Sequence, residues 1–199
     1  MPMPKILLEL HPLEEAGRTE EAAALLISRA DAGDPEAQAV LANQYYLGDL
    51  VNKDYAKAFD YAQRAAEVGQ AMGLHTLGVL YLYGYGCDAD PVKGCAMLER
   101  ATDLGEMKSP RYLGICALEG IDGKVDYVKA RFWFEKGAEK GDITSFYNLG
   151  RIYELGLGVT ADLDTAIAWY RKAAVRKDHV GKPANDALAR LGATADADG

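Results

Sequence analysis

Residues 149–177 read LGRIYELGLGVTADLDTAIAWYRKAAVRK, and three earlier stretches share their pattern. They are 41–69 (LANQYYLGDLVNKDYAKAFDYAQRAAEVG), 77–105 (LGVLYLYGYGCDADPVKGCAMLERATDLG) and 113–141 (LGICALEGIDGKVDYVKARFWFEKGAEKG). Leu41, Leu77, Leu113 and Leu149 keep a 36-residue interval without a slip. A fixed period of this size marks stacked repeats, each of which needs its neighbours to bury an apolar face. The repeat therefore predicts one continuous all-α array of helix-turn-helix units.

Each unit holds two helical patterns around a glycine-bearing turn. In the first, Ala37, Leu41, Gln44 and Tyr45 follow the i, i+4, i+7, i+8 spacing of one helix face, and the later units repeat those columns. Gly78, Gly114 and Gly150 follow their leucines directly. Glycine costs about 0.5–1 kcal/mol against alanine inside a helix, so its recurrence predicts close approach by a neighbouring helix. Gly48, Gly84, Gly120 and Gly156 then end the helix.

The second helix opens at Asp54, Asp90, Asp126 and Asp162. A carboxylate there accepts hydrogen bonds from the free N–H groups of the first turn and opposes the helix dipole. Capping thus explains four evenly spaced aspartates better than catalysis or metal binding. Small columns (Ala58, Gly94, Ala130, Ala166; Ala65, Ala101, Gly137, Ala173) alternate with bulky ones (Tyr61, Met97, Trp133, Trp169), as ridge-and-groove packing requires.

The pattern L-G-x-x-Y-x-x-G-x-G-V, D-x-x-x-A, W-Y-x-K-A-A resembles the Sel-one-like repeat family, relatives of tetratricopeptide repeats. The last unit carries it best, through Leu149, Gly150, Tyr153, Gly156, Gly158, Val159, Asp162, Ala166, Trp169, Tyr170, Lys172, Ala173 and Ala174. The third departs most, with Ala117 for the tyrosine and Asp122 for the second glycine. The resemblance implies a right-handed α/α superhelical solenoid whose first helices line a concave surface, and an adaptor that binds proteins or peptides. A secreted, cysteine-rich branch staples each repeat with a disulfide and has been credited with activity on β-lactams. That branch supplies the alternative reading, a hydrolase or cell-wall-directed enzyme. The columns that would carry the staple are Ala66, Thr102, Ala138 and Ala174, none of them cysteine. A purely structural scaffold is a third reading.

The units are expected at 34–69, 70–105, 106–141 and 142–177. Residues 1–33 form an N-terminal segment with a degenerate half repeat, in which Thr19 would cap a helix ending at Gly33. Residues 178–192 read as a closing helix over Pro183 to Leu191, and 193–199 as a disordered tail.

Transferring the concave positions of tetratricopeptide repeats by register names the partner-binding candidates. They are His75, Arg111 and Tyr147; Asn43, Val79, Ile115 and Arg151; Tyr46, Leu82, Leu118 and Glu154; and Tyr83. Aromatic and aliphatic contacts with the guanidiniums of Arg111 and Arg151 would suit an extended peptide carrying an acidic group.

The net charge of −8 disfavours nucleic acid, which needs clustered Lys and Arg. No apolar run nears the roughly 18–20 residues of a membrane span, and MPMPKILLELHP lacks the features of a secretory signal. Cys87, Cys95 and Cys116 fall in no metal-ligand spacing and read as reduced thiols. His11, His75 and His179 stand in separate segments. The expectation is thus a cytoplasmic, monomeric, non-enzymatic interaction module without metal or cofactor.

Overall fold

The structure is a computed structural model describing residues 4–175 and 181–195. Lys177, His179 and residues 196–199 of the expected tail lie outside the described residues. Among the described residues there are eleven helices and no strand.

The chain divides into two compact units, Met1–Glu106 and Met107–Gly199. A single array was the expectation from the period; the division falls at the repeat whose first helix opens late. First helices begin at Pro35, Ala71 and Ile143, but the third begins at Ser109 rather than 107, with Pro110 beside it.

Unit 1 contains α1 (Lys5–Glu15), α2 (Thr19–Asp31), α3 (Pro35–Leu47), α4 (Tyr55–Glu67), α5 (Ala71–Tyr83) and α6 (Pro91–Asp103). α3 packs on α4 and α5 on α6, with α4 against α5 and α2 against α3. Ile6, Leu10, Leu26, Leu41, Leu74 and Leu80 are buried in its core among the small Ala22, Ala30, Ala58 and Ala62. α2 opens 36 residues before α4, which places it as a second-type helix. Thr19 is not its cap. Arg18 holds the cap position without a side-chain cap bond, because a guanidinium has only donors and cannot accept from the N–H groups of the first turn; it donates to the Glu21 carboxylate. Glu20 and Glu21 in that turn oppose the dipole instead.

Unit 2 contains α7 (Ser109–Glu119), α8 (Tyr127–Glu139), α9 (Ile143–Leu155), α10 (Leu163–Ala173) and α11 (Lys182–Arg190). α7 packs on α8 and α9 on α10, with α8 against α9 and α10 against α11. Phe134, Leu149, Ile152 and Tyr170 are fully buried.

The aspartate column does what its chemistry demands. Asp54, Asp90, Asp126 and Asp162 accept from the N–H of Lys57, Lys93, Lys129 and Thr165 at 3.1, 3.0, 2.9 and 3.1 Å. Each such cap stabilises its helix by about 1 kcal/mol. The backbone N–H of each aspartate also closes the turn onto the preceding helix, donating to Tyr45, Tyr81, Ala117 and Tyr153 O at 2.8–3.0 Å. Gly150 shows why its column is glycine. A Cβ there would lie 2.5 Å from the Tyr170 ring, and one on Gly114 would lie 2.6 Å from Phe134.

α11 continues the register. Gly181 follows the small, buried Ala37, Gly73, Ser109 and Ser145, and Gly192 (φ 69°) follows Gly156 (φ 65°) and its column. The helix therefore occupies the register of a first helix. Asp186 stands where Gly78, Gly114 and Gly150 stand, and pairs with Lys182 at 2.7 Å. The residues just after it are held in place: Ala193 N–H donates to Leu188 O at 2.9 Å, and Arg171 donates to Thr194 O at 3.0 Å.

Candidate functional site

The expected contact residues belong to the first helices, and each unit presents its own set. In unit 1, Asn43 and Tyr46 lie on α3, partly exposed. His75, Val79 and Leu82 do not line an open surface: they are 6%, 1% and 4% exposed. The reason is the composition of α5, which is apolar around its whole circumference and packs against α3, α4 and α6. A helix without a polar face is buried all round. Tyr83, at its end, is 40% exposed.

Tyr46 and Tyr83 meet two residues that the register argument passed over. Tyr55 opens α4, and Tyr85 sits between Gly84 and Gly86 in the turn after α5. The Tyr55 and Tyr85 rings stack at 4.6 Å, Tyr46 lies 6.1 and 6.3 Å from them, and Tyr83 lies 5.6 Å from Tyr85. Leu47, the residue after Tyr46 in the chain, is 41% exposed, and the Lys53 ammonium stands 5.8 Å over the Tyr55 ring. A signal for Tyr85 was present in the sequence: an aromatic residue between two turn glycines falls outside the helix-face columns, and it rests, partly buried, on the core of unit 1.

In unit 2 the expected residues are largely engaged with other residues of the unit that were not among those expected. Arg111 reaches Asp142 at 3.4 Å, donates to the Tyr112 hydroxyl at 3.3 Å and lies 4.9 Å over that ring. Burial opposes its charge, but Tyr112 and Asp142 outweigh burial and raise its pKa above the ordinary value. Arg151 donates to Asn148 at 3.4 Å. Neither guanidinium therefore presents all its donors to an incoming carboxylate. Asp142 also caps α9 through Ser145 N–H at 2.7 Å. Ile115 and Leu118 pack on the core around Phe134 and Ile152.

Glu154 is fully committed within the unit. It accepts from Arg190 of α11 at 2.5 and 3.0 Å and from the Tyr170 hydroxyl at 2.6 Å. The Arg190 guanidinium, with Tyr170, holds its carboxyl below the usual range although burial pushes the other way. Tyr147 lies 5.7 Å from the Tyr170 ring and borders an open cleft with Lys182, Pro183, Asp186 and Arg190. Sequence reasoning missed Arg190, although it stands 36 residues after Glu154.

Of the chemically reactive groups, His11 pairs with Glu15 at 3.3 Å on the exposed side of α1. Cys87 is a half-buried free thiol donating to Leu80 O at 3.7 Å, its pKa raised by burial and by Asp88.

A model of the Sel1 repeat matches residues 35–70, 71–106, 111–142 and 147–174, more than half of the chain. The chain belongs to the Sel1 repeat family. Similar solved structures include a Sel1 repeat protein from Oxalobacter formigenes, at 26% identity and TM-score 0.79, covering 94% of this chain and 76% of that one. Another is a protective antigen of uropathogenic Escherichia coli displaying an SLR fold, at 28% identity and TM-score 0.72. That match covers 96% of this chain but 45% of the antigen. No curated protein matches significantly. This Sel1 repeat protein is thus an all-α protein of successive helix-turn-helix repeats, like the solved structures it matches. Among its described residues no helix is long and apolar enough to cross a membrane.

Proposed function

We propose that this Sel1 repeat protein is a non-catalytic adaptor that holds a segment of a partner protein on the faces of its first helices. In unit 1 the contact residues are Asn43, Tyr46 and Tyr83, joined by Tyr55 and Tyr85; His75, Val79 and Leu82 support them from within. In unit 2 they are Arg111, Ile115, Leu118, Tyr147 and Arg151, with Glu154 fixing the adjoining helix. The tyrosine cluster carries the reading. Tyrosine offers large, rigid, amphipathic contact area at low entropic cost and is enriched at the energetic centres of interfaces. Four such rings lie within 4.6–6.3 Å of their neighbours; Tyr46, Tyr55 and Tyr85 rest on the core of unit 1 and are only partly buried, and Tyr83 is 40% exposed.

Site-specific photo-crosslinking in the native cell tests this. A photoreactive phenylalanine at position 83 should capture a dominant protein partner, identified by mass spectrometry. The same group at position 64, on the exposed side of α4, should not. Capture at 64 with none at 83 would move the interface to the second helices and refute the assignment.

A further inference from the structure

The formal charge of this chain is segregated. Residues 1–106 hold 17 Asp and Glu against eight Lys and Arg, whereas residues 107–199 hold 13 against 14. Unit 1 therefore carries −9 and unit 2 carries +1, which together give the chain's −8. The tyrosine cluster belongs to the acidic unit. Asp49 and Asp88, both exposed, sit in the two turns that flank it, and Asp54 and Asp90 cap the helices that follow those turns.

Tyrosine faces attract cations through the ring quadrupole, and unit 1 uses this repeatedly with its own lysines. Lys53 stands 5.8 Å over Tyr55, Lys57 lies 5.2 Å over Tyr45, and Lys93 lies 4.2 Å over Tyr81. An acidic field raises the local concentration of a cationic partner and steers its approach. Aromatic faces then hold planar guanidinium groups, which are less strongly hydrated than ammonium and stack as well as attract.

We propose that the cluster of Tyr46, Tyr55, Tyr83 and Tyr85 docks an arginine-bearing segment of a partner protein. The arginine side chains lie against the rim of the cluster at Tyr83, 40% exposed, with Tyr55 and Tyr85 stacked on each other as its support, and the charge of unit 1 supplies long-range attraction. This assignment rests on the adaptor reading and narrows it, since it fixes the sign of the ligand's charge and the edge of unit 1 where it sits. It also replaces the acidic ligand expected from Arg111 and Arg151, whose guanidiniums already have partners in unit 2.

The test uses the full chain and three fluorescein-labelled octapeptides: alternating Arg and Ser, the same with citrulline for Arg, and the same with Glu for Arg. Citrulline keeps the shape of arginine and removes its charge. Fluorescence anisotropy at about 50 mM salt should show the arginine peptide binding at least tenfold tighter than the citrulline peptide, with no binding of the glutamate peptide. Tyr83→Ala should weaken the arginine peptide about fivefold, a loss expected for one partly exposed cation–π contact. Tyr83→Phe should bind as the parent does, because the ring face is kept. Equal binding of the arginine and citrulline peptides overturns the proposal. So does arginine binding that Tyr46→Ala/Tyr83→Ala leaves unchanged, since the acidic field alone would then suffice. Concentration-dependent self-association lost in that double variant would assign the cluster to a second copy and also overturn it. Failure here with crosslinking still at position 83 removes only the arginine assignment; failure of both removes the adaptor face as well.

Discussion

Gly150→Ala reverses the usual sign of a helix substitution. In an unconstrained helix interior, alanine is favoured over glycine by about 0.5–1 kcal/mol. At position 150 the added methyl would lie 2.5 Å from Tyr170 Cε1 and 2.6 Å from Cδ1, whereas carbon atoms rest at about 3.5–4.0 Å. The ring has little room to retreat. Tyr170 is 1% exposed, its hydroxyl is bound to Glu154 at 2.6 Å, and Tyr147 lies 5.7 Å away. Overpacking of this kind costs about 1–3 kcal/mol, so the net effect is a destabilisation of about 0.5–2 kcal/mol. Both tryptophans of the chain, Trp133 and Trp169, lie in unit 2, so their fluorescence reports its unfolding. With a urea slope of about 1–3 kcal/mol/M, the midpoint should fall by about 0.5 M. The decisive comparison is made in a Tyr170→Ala background. There the methyl has space, and Gly150→Ala should stabilise by about 0.5–1 kcal/mol. A raised midpoint in the parent, or the same fall in both backgrounds, would refute close helix approach as the reason for this glycine column.

Leu113→Ala removes a side chain 1% exposed and should cost about 2–5 kcal/mol in urea unfolding followed by circular dichroism. Glu154 has a depressed pKa in the folded chain, held by Arg190 and Tyr170 against burial. Its contribution is therefore present above the ordinary carboxylate range and is lost as pH falls through the folded value; a pH series of melting curves should be flatter for Glu154→Gln. Burial, together with Asp31, pushes the Tyr61 hydroxyl up to about 12. That stabilisation is complete below the ordinary tyrosine value and is lost as pH rises through about 12; burial and Glu154 raise Tyr170 as well, so ultraviolet titration should show late phenolates of which Tyr61→Phe removes one.

Much of the architecture was readable in the sequence because it rests on local, repeated chemistry. The aspartates at 54, 90, 126 and 162 cap helices wherever they recur, and each does so through the same backbone partner position. The candidate surface was harder to read. Register places His75, Val79 and Leu82 on the first-helix face, but depth depends on what surrounds that helix, and α5 has no polar side. Its run Leu74–Leu82, with only His75 and Thr76 polar, carried that warning. Tyr55 and Tyr85 escaped because they occupy a helix start and a turn, where a helix-face argument assigns no direction. Arg111 and Glu154 have the expected residue types and positions, yet their partners, Asp142 and Arg190, come from other helices and emerge only on folding.

The pairing of Asp186 with Lys182 on α11 bears on how such a chain can lengthen. Every complete repeat needs a nearly bare backbone at this column so that its second helix can settle against the first, and α11 offers a charged side chain there. A copy appended after Gly192 would meet a carboxylate where its own second helix must approach. Duplication of a complete repeat is therefore easier at a junction such as Gly69 than directly after α11.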